Sequence, residues 1–263
     1  MKKALDGVDG LIANSLRLQL GGRKNRSGKA MRRVGCSPVP FDGAALIRAI
    51  LERIEENWLG ARLEGSIRLA SRENWRWEKK CYISGQNKSR EKILEKQIAR
   101  ECDDSWINQV PTLSGVIDAK SERHCNVDLV HRVSDDEFEF IELKFDSDTP
   151  AYAAFEILKY GLVYTFSRKN SSALGYDAAN ILLNAKNITL IVLAPSAYYV
   201  GGSCDLRWLE SALSSALSSF GDWGFKMDFH FESFSAHTPT ARTLIGSRSR
   251  IFIPNPRGND AVS

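Results

Sequence analysis

The chain has 263 residues, of which 43% are apolar and 26% charged, with a formal net charge of +4. This is ordinary globular composition for one large domain or two small ones, long enough to bury a full core. No apolar run reaches the eighteen or so residues of a membrane-spanning helix, and no apolar block precedes a small-residue cleavage site, so a cytoplasmic protein without membrane contact is expected.

The charge is unevenly placed. Residues 1–40 hold nine Lys and Arg against Asp6 and Asp9, a balance of +7 that leaves −3 for the rest of the +4 chain. Residues 21–40 combine glycine, serine, proline and cations with few apolar side chains, so 1–40 reads as a flexible basic arm, with a short amphipathic helix before its most basic part. Arg23, Lys24, Arg26, Arg32 and Arg33 are its candidate phosphate contacts, and a solubilising tail is the alternative.

From Phe41 the apolar residues Ala45, Leu46, Ala49, Ile50, Ile54 and Trp58 recur at helical spacing, predicting a helix over 42–58 that stops at Gly60. Within 61–85, SIRLAS and WRWEKKCYI alternate as strands do. Trp75 and Trp77 there are core aromatics or, beside Lys79 and Lys80, a surface on which bases stack. Residues 89–102 predict a short helix with Leu94, Ile98 and Cys102 inward, Glu91 and Glu95 on or beside that face, and Lys92, Lys96 and Arg100 turned away. Two strands around 127–133 and 137–145 form a hairpin, followed by a helix over 150–166 and a buried strand over 186–195. An amphipathic helix over 206–220 and a half-exposed strand over 224–235 complete the pattern, and the chain frays from Pro254. One α/β domain over 41–253 results, with no internal repeat.

Five cysteines, Cys36, Cys81, Cys102, Cys125 and Cys204, are odd in number and show no CxxC spacing, so reduced thiols are expected. A zinc set of His124 and Cys125 with Cys102 or His131 is opposed by strand geometry, which turns adjacent residues to opposite faces.

The hairpin carries the chemistry. Glu142 and Lys144 are two apart on a strand and share a face, while Ile141, Leu143 and Phe145 fill the other. A hairpin loop of three or five residues gives an even register in which Asp128 lies opposite Glu142. Cross-strand Cβ atoms stand roughly 4.5–5.5 Å apart, close enough for two carboxylates to share a hard divalent cation and too close for both to ionise comfortably without one. Glu91 or Glu95 reaches in from the helix as a further ligand, and Lys144 holds or activates a water.

Asp128, the tripeptide Glu142-Leu143-Lys144 and the helical Glu91 or Glu95, in the order helix, strand, strand, helix, strand over residues 88–195, resemble the PD-(D/E)xK nuclease superfamily. The resemblance implies a restriction-endonuclease-like three-layer α/β/α fold around a central mixed sheet. It also implies Mg²⁺- or Mn²⁺-dependent hydrolysis of DNA, with RNA as the other nucleic-acid partner, Asp128, Glu142 and Glu91 (or Glu95) as metal ligands and Lys144 as the catalytic lysine. Glu156 and Tyr160 have the spacing of that family's Gln-x-x-x-Tyr nucleic-acid-binding motif, with glutamate in place of glutamine, and Val127 stands where a proline often does. A catalytically inactive nuclease-like module that binds nucleic acid or protein is the alternative.

Overall fold

A computed structural model describes residues 3–18, 40–63, 69–82, 88–117, 122, 124–200, 206–219, 223–235 and 240–251. The helices are α1 (Val8–Ser15), α2 (Gly43–Leu63), α3 (Arg90–Glu101), α4 (Pro150–Lys169), α5 (Ser171–Leu174), α6 (Ser196–Val200), α7 (Arg207–Ser219) and α8 (Ala241–Gly246). The strands are β1 (Trp106–Pro111), β2 (Asn126–Arg132), β3 (Glu137–Leu143), β4 (Asn187–Pro195), β5 (Lys226–Phe234) and β6 (Ser249–Arg250). They form one mixed open sheet in sequence order, antiparallel from β1 to β3, parallel from β3 through β5, and antiparallel again at β6.

Both faces of the sheet are covered. Phe138, Phe140, Leu190, Val192, Phe229 and Phe231 belong to a large core with α1, α2, α4 and α7. Leu129, Ile141, Leu143, Ile191 and Leu193 belong to a smaller one with Leu94 and Ile98 of α3 and Leu244 of α8. Alternation along each strand divides its side chains between these two cores. The long helix α4 starts where Thr149 accepts the Tyr152 amide and Pro150 takes the first turn. It is buried nearly all round because the sheet lies under it and α2 packs alongside. Helix α3 is capped by Ser89, which accepts the Lys92 amide, and carries Glu91 in its first turn and Arg100 in its last.

Several expectations need correction. Helix α2 continues through Gly60 to Leu63, because burial of Trp58 and Ala61 outweighs the roughly 1 kcal/mol a helical glycine costs. The alternation in 69–82 makes no strand: Trp75 has φ 59° within a turn, and its indole is fully buried against Phe140 and Tyr164. Trp77 packs edge-on to Phe138, so both aromatics serve the core. Strand β5 is mostly buried rather than half exposed, since β4 flanks it and Arg248 pairs with its Glu232. Residues 3–18 belong to the folded body rather than to an arm. Ala4, Val8, Ile12 and Ala13 are fully buried, the Ala4 amide donates to Glu122 Oε1 (2.7 Å), and Asn57 Nδ2 donates to the Ala4 carbonyl (3.0 Å). Arg23, Lys24, Arg26, Arg32, Arg33 and the tail from Pro254 lie outside the described residues. Among the described residues no helix is long and apolar enough to cross a membrane.

Candidate active site

Strand pairing brings the hairpin residues together. The β2–β3 ladder runs from Arg132↔Phe138 to Leu129↔Ile141, the even register in which Asp128 falls opposite Glu142. The ladder itself stops one residue short of that pair. Asp128 Oδ2 instead accepts the Leu143 amide (3.2 Å), while Glu142 and Leu143 continue their pairing with Val192 and Leu193 of β4. The strands thus part at the carboxyl end of β3, the kind of place where open α/β sheets form crevices.

The crevice is a cleft of about 210 Å³ walled by Glu91, Lys92 and Glu95 of α3, Asp128 and Glu142 of the hairpin, Lys144, and Glu156 and Tyr160 of α4. Gln109, His124 and Asn126 complete it. Glu142 and Lys144 are only 4% and 6% exposed. Five carboxyl groups therefore face two amines in a largely desolvated space.

Each amine is held by two acids. Lys144 Nζ lies 2.7 Å from Glu142 Oε1 and 2.9 Å from Glu156 Oε2. Burial alone would lower the Lys144 amine, but Glu142 and Glu156 outweigh it and hold it well above the ordinary lysine range. Lys92 Nζ lies 2.9 Å from Glu95 Oε2 and 3.3 Å from Asp128 Oδ1. Burial pushes the Glu142 carboxyl far above the usual carboxylate range, and the charges of Asp128 and Glu156 push the same way. Burial also raises Asp128, against the opposing pull of Lys92 and Lys144. Glu156 is half-buried, and although desolvation pushes it upward, Lys144 brings it below its ordinary value. Lys144 and Glu142 both shift upward although they touch. Lys144 therefore stays an ammonium between Glu142 and Glu156, and crowding by Asp128 and Glu156 makes Glu142 the harder of its two acids to ionise.

The two helical glutamates have different tasks. Glu95 is 1% exposed and accepts from Asn108 Nδ2 and Gln109 Nε2, both at 2.7 Å. Consecutive strand residues normally face apart; Gln109 has φ 52°, an uncommon conformation for a residue other than glycine, at the point where both amides turn to one carboxylate. Glu91 Oε1 accepts the Phe145 amide (3.1 Å) and Ser147 Oγ (2.6 Å), which ties α3 to the loop after β3. Among the described residues the other oxygen of Glu91 has no hydrogen-bond partner, so Glu91 has more freedom than Glu95 to take an ion.

As they stand, no three His, Cys, Asp or Glu side chains among the described residues are gathered to hold a metal ion. The amines of Lys92 and Lys144 stand between the acids. The donor chemistry nevertheless fits a hard divalent cation, because the cleft concentrates oxygen ligands whose burial without a compensating charge is costly. The zinc set is dispersed: His131 faces Glu139 and stacks on Trp106, whereas Cys125 packs against the large core.

Other expected nucleic-acid contacts lie elsewhere. Lys79 Nζ donates to the Cys102 carbonyl (3.1 Å) and pairs with Asp104 (3.2 Å), which ties it to the turn between α3 and β1, and Lys80 Nζ donates to the Gln109 carbonyl (3.0 Å), which braces β1. Lys92 and Lys96 do not turn away: Lys92 enters the cleft and Lys96 donates to the Lys80 carbonyl. The sequence signal for Lys92 is its i, i+3 spacing to Glu95, whereas nothing local announces Gln109. Tyr160 is half-buried, and its desolvation together with the Glu142 and Glu156 charges pushes its hydroxyl well above the ordinary tyrosine range. Comparison with protein-family models, curated proteins and solved structures found no match to the chain.

Proposed function

We propose that the chain is a metal-dependent nuclease of the restriction-endonuclease-like class, hydrolysing phosphodiester bonds of DNA. The supporting observation is the meeting of Asp128, Glu142, Lys144 and Glu156 in one cleft with a surplus of carboxyl groups. The helix, three antiparallel strands, helix and strand from α3 to β4, with helices on both faces, support the corresponding three-layer fold.

Asp128 and Glu142, with Glu91 or Glu95, would hold Mg²⁺ or Mn²⁺. When bound, such an ion polarises the phosphate and stabilises the leaving oxygen. Lys144, kept charged by Glu142 and Glu156, cannot accept a proton; it donates hydrogen bonds to the attacking water or to a phosphate oxygen. Glu156 keeps that ammonium in place, which gives the glutamate of the Glu-x-x-x-Tyr pair a defined role. In the reaction the water oxygen bonds to phosphorus as the bond from phosphorus to the 3′ oxygen breaks. The water gives up a proton to bulk solvent and the released 3′ oxygen takes one up from it, leaving 5′-phosphate and 3′-hydroxyl ends.

Plasmid nicking in Mg²⁺ tests the reading. The wild type should nick and EDTA should stop it, while Asp128→Ala and Lys144→Ala should each lose about 100-fold or more. An Asp128→Ala protein as fast as the wild type would remove the site. DNA binding without any metal-dependent nicking would favour the inactive binding module.

A further inference from the structure

The two lysines of the cleft are built differently. Lys144 follows directly on β3, its amide donates to the Leu193 carbonyl, and its buried amine is fixed between Glu142 and Glu156. Lys92 comes from the first turn of α3, and its side chain is 39% exposed. Its stem therefore runs from the cleft mouth inward.

Its two partners depend on it unequally. Glu95 has Asn108 and Gln109 as independent donors. Asp128 Oδ2 has the Leu143 amide, but Oδ1 has Lys92 as its hydrogen-bond donor among the described residues. We infer that Lys92 is a displaceable internal counter-ion, occupying in the metal-free protein the Asp128 oxygen that a divalent cation takes on loading. The inference rests on the nuclease reading. Displacement leaves the amine tethered one residue from Glu91 at the mouth, where it can meet an incoming phosphate, so one lysine would couple metal entry to substrate capture.

Two like charges competing for one oxygen within about 4 Å interact strongly in a partly desolvated site. Removing the amine should thus favour the ion. Mn²⁺ binding would be followed by calorimetry, without DNA, for the full-length wild type, Lys92→Met, Lys92→Gln, Lys92→Arg and Asp128→Asn. Lys92→Met and Lys92→Gln should bind Mn²⁺ about tenfold tighter and melt earlier in EDTA, whereas Lys92→Arg should bind no more tightly than the wild type. In Ca²⁺ both neutral variants should hold a short oligonucleotide more weakly, the opposite direction to their metal affinity. Either neutral variant suffices if the other fails to fold. Wild-type Mn²⁺ binding that disappears in Asp128→Asn, combined with unchanged or weaker binding in the neutral variants, would overturn the Lys92 inference alone. Absence of Asp128-dependent Mn²⁺ binding in the wild type would overturn it together with the nuclease reading.

Discussion

At the scale of single residues, the cleft shows a conflict between stability and chemistry. Glu142 is buried beside Asp128 and Glu156, and its carboxyl holds a proton well above the ordinary range. Such a group destabilises the metal-free protein once it must ionise. As pH rises past about 4.3, where an unfolded glutamate ionises, the unfolded chain binds fewer protons than the folded one. Stability contributed by this residue therefore falls with rising pH until its raised folded value is passed. Glu142→Gln should raise the thermal midpoint in EDTA at pH 8 by about 2–4 °C and flatten the loss between pH 5 and pH 8. Mg²⁺ should raise the midpoint of the wild type but not that of the variant. Melting curves across pH, with and without Mg²⁺, check both; a Glu142→Gln protein less stable than the wild type in EDTA would show that the carboxyl is net stabilising.

At the scale of elements, the close approach of α4 to the sheet depends on a single glycine. A Cβ at Gly161 would lie 2.6 Å from Leu190 Cδ1, 3.0 Å from Leu190 Cδ2 and 3.1 Å from Met227 Sδ, all buried in the large core. In an open site Gly→Ala would gain helix propensity, but here overpacking costs about 1–3 kcal/mol and pushes α4 outward with Glu156 and Tyr160 on it. Gly161→Ala should lower denaturant stability by that amount and weaken nicking, and adding Leu190→Val should recover part of each. The elements legible from sequence are those with strong periodicity: α2, α3, α4, α7, the β2–β3 hairpin, the apolar β4 and β5. Strand β1 is not legible, because WINQVP carries two amides and a proline and owes its form to pairing with β2. The same limit applies within the site. The even hairpin register is readable from spacing and puts Asp128, Glu142 and Lys144 together, whereas the inward turn of Lys92 depends on where Asp128 stands in space. The clasp of Asn108 and Gln109 on Glu95 depends on a backbone conformation no neighbour predicts.

At the scale of the whole molecule, charge has to be reconciled with the proposed nucleic-acid substrate. A cleft with more carboxyl groups than amines repels a polyanion, and Lys79 and Lys80 are held by the α3–β1 turn and by β1. The densest remaining cations in sequence are Arg23, Lys24, Arg26, Arg32 and Arg33, which fall between α1 and α2. Because α1 is part of the folded body, a truncation through residue 36 would also remove Val8 and Ile12 from the core, so it cannot isolate the effect of charge. Substituting serine for all five cations in the full chain keeps α1 in place. If these side chains bind phosphates, each phosphate they no longer neutralise lowers the slope of log K against log salt by about 0.9 for duplex DNA, and affinity falls most at low salt. The rate at saturating DNA should stay within about twofold, since none of the five is assigned to the cleft. Binding titrations from low to moderate salt, with nicking rates at saturation, separate the outcomes. An unchanged slope would make the segment a solubilising one, and a lost saturated rate would mean that it contributes to the catalytic site.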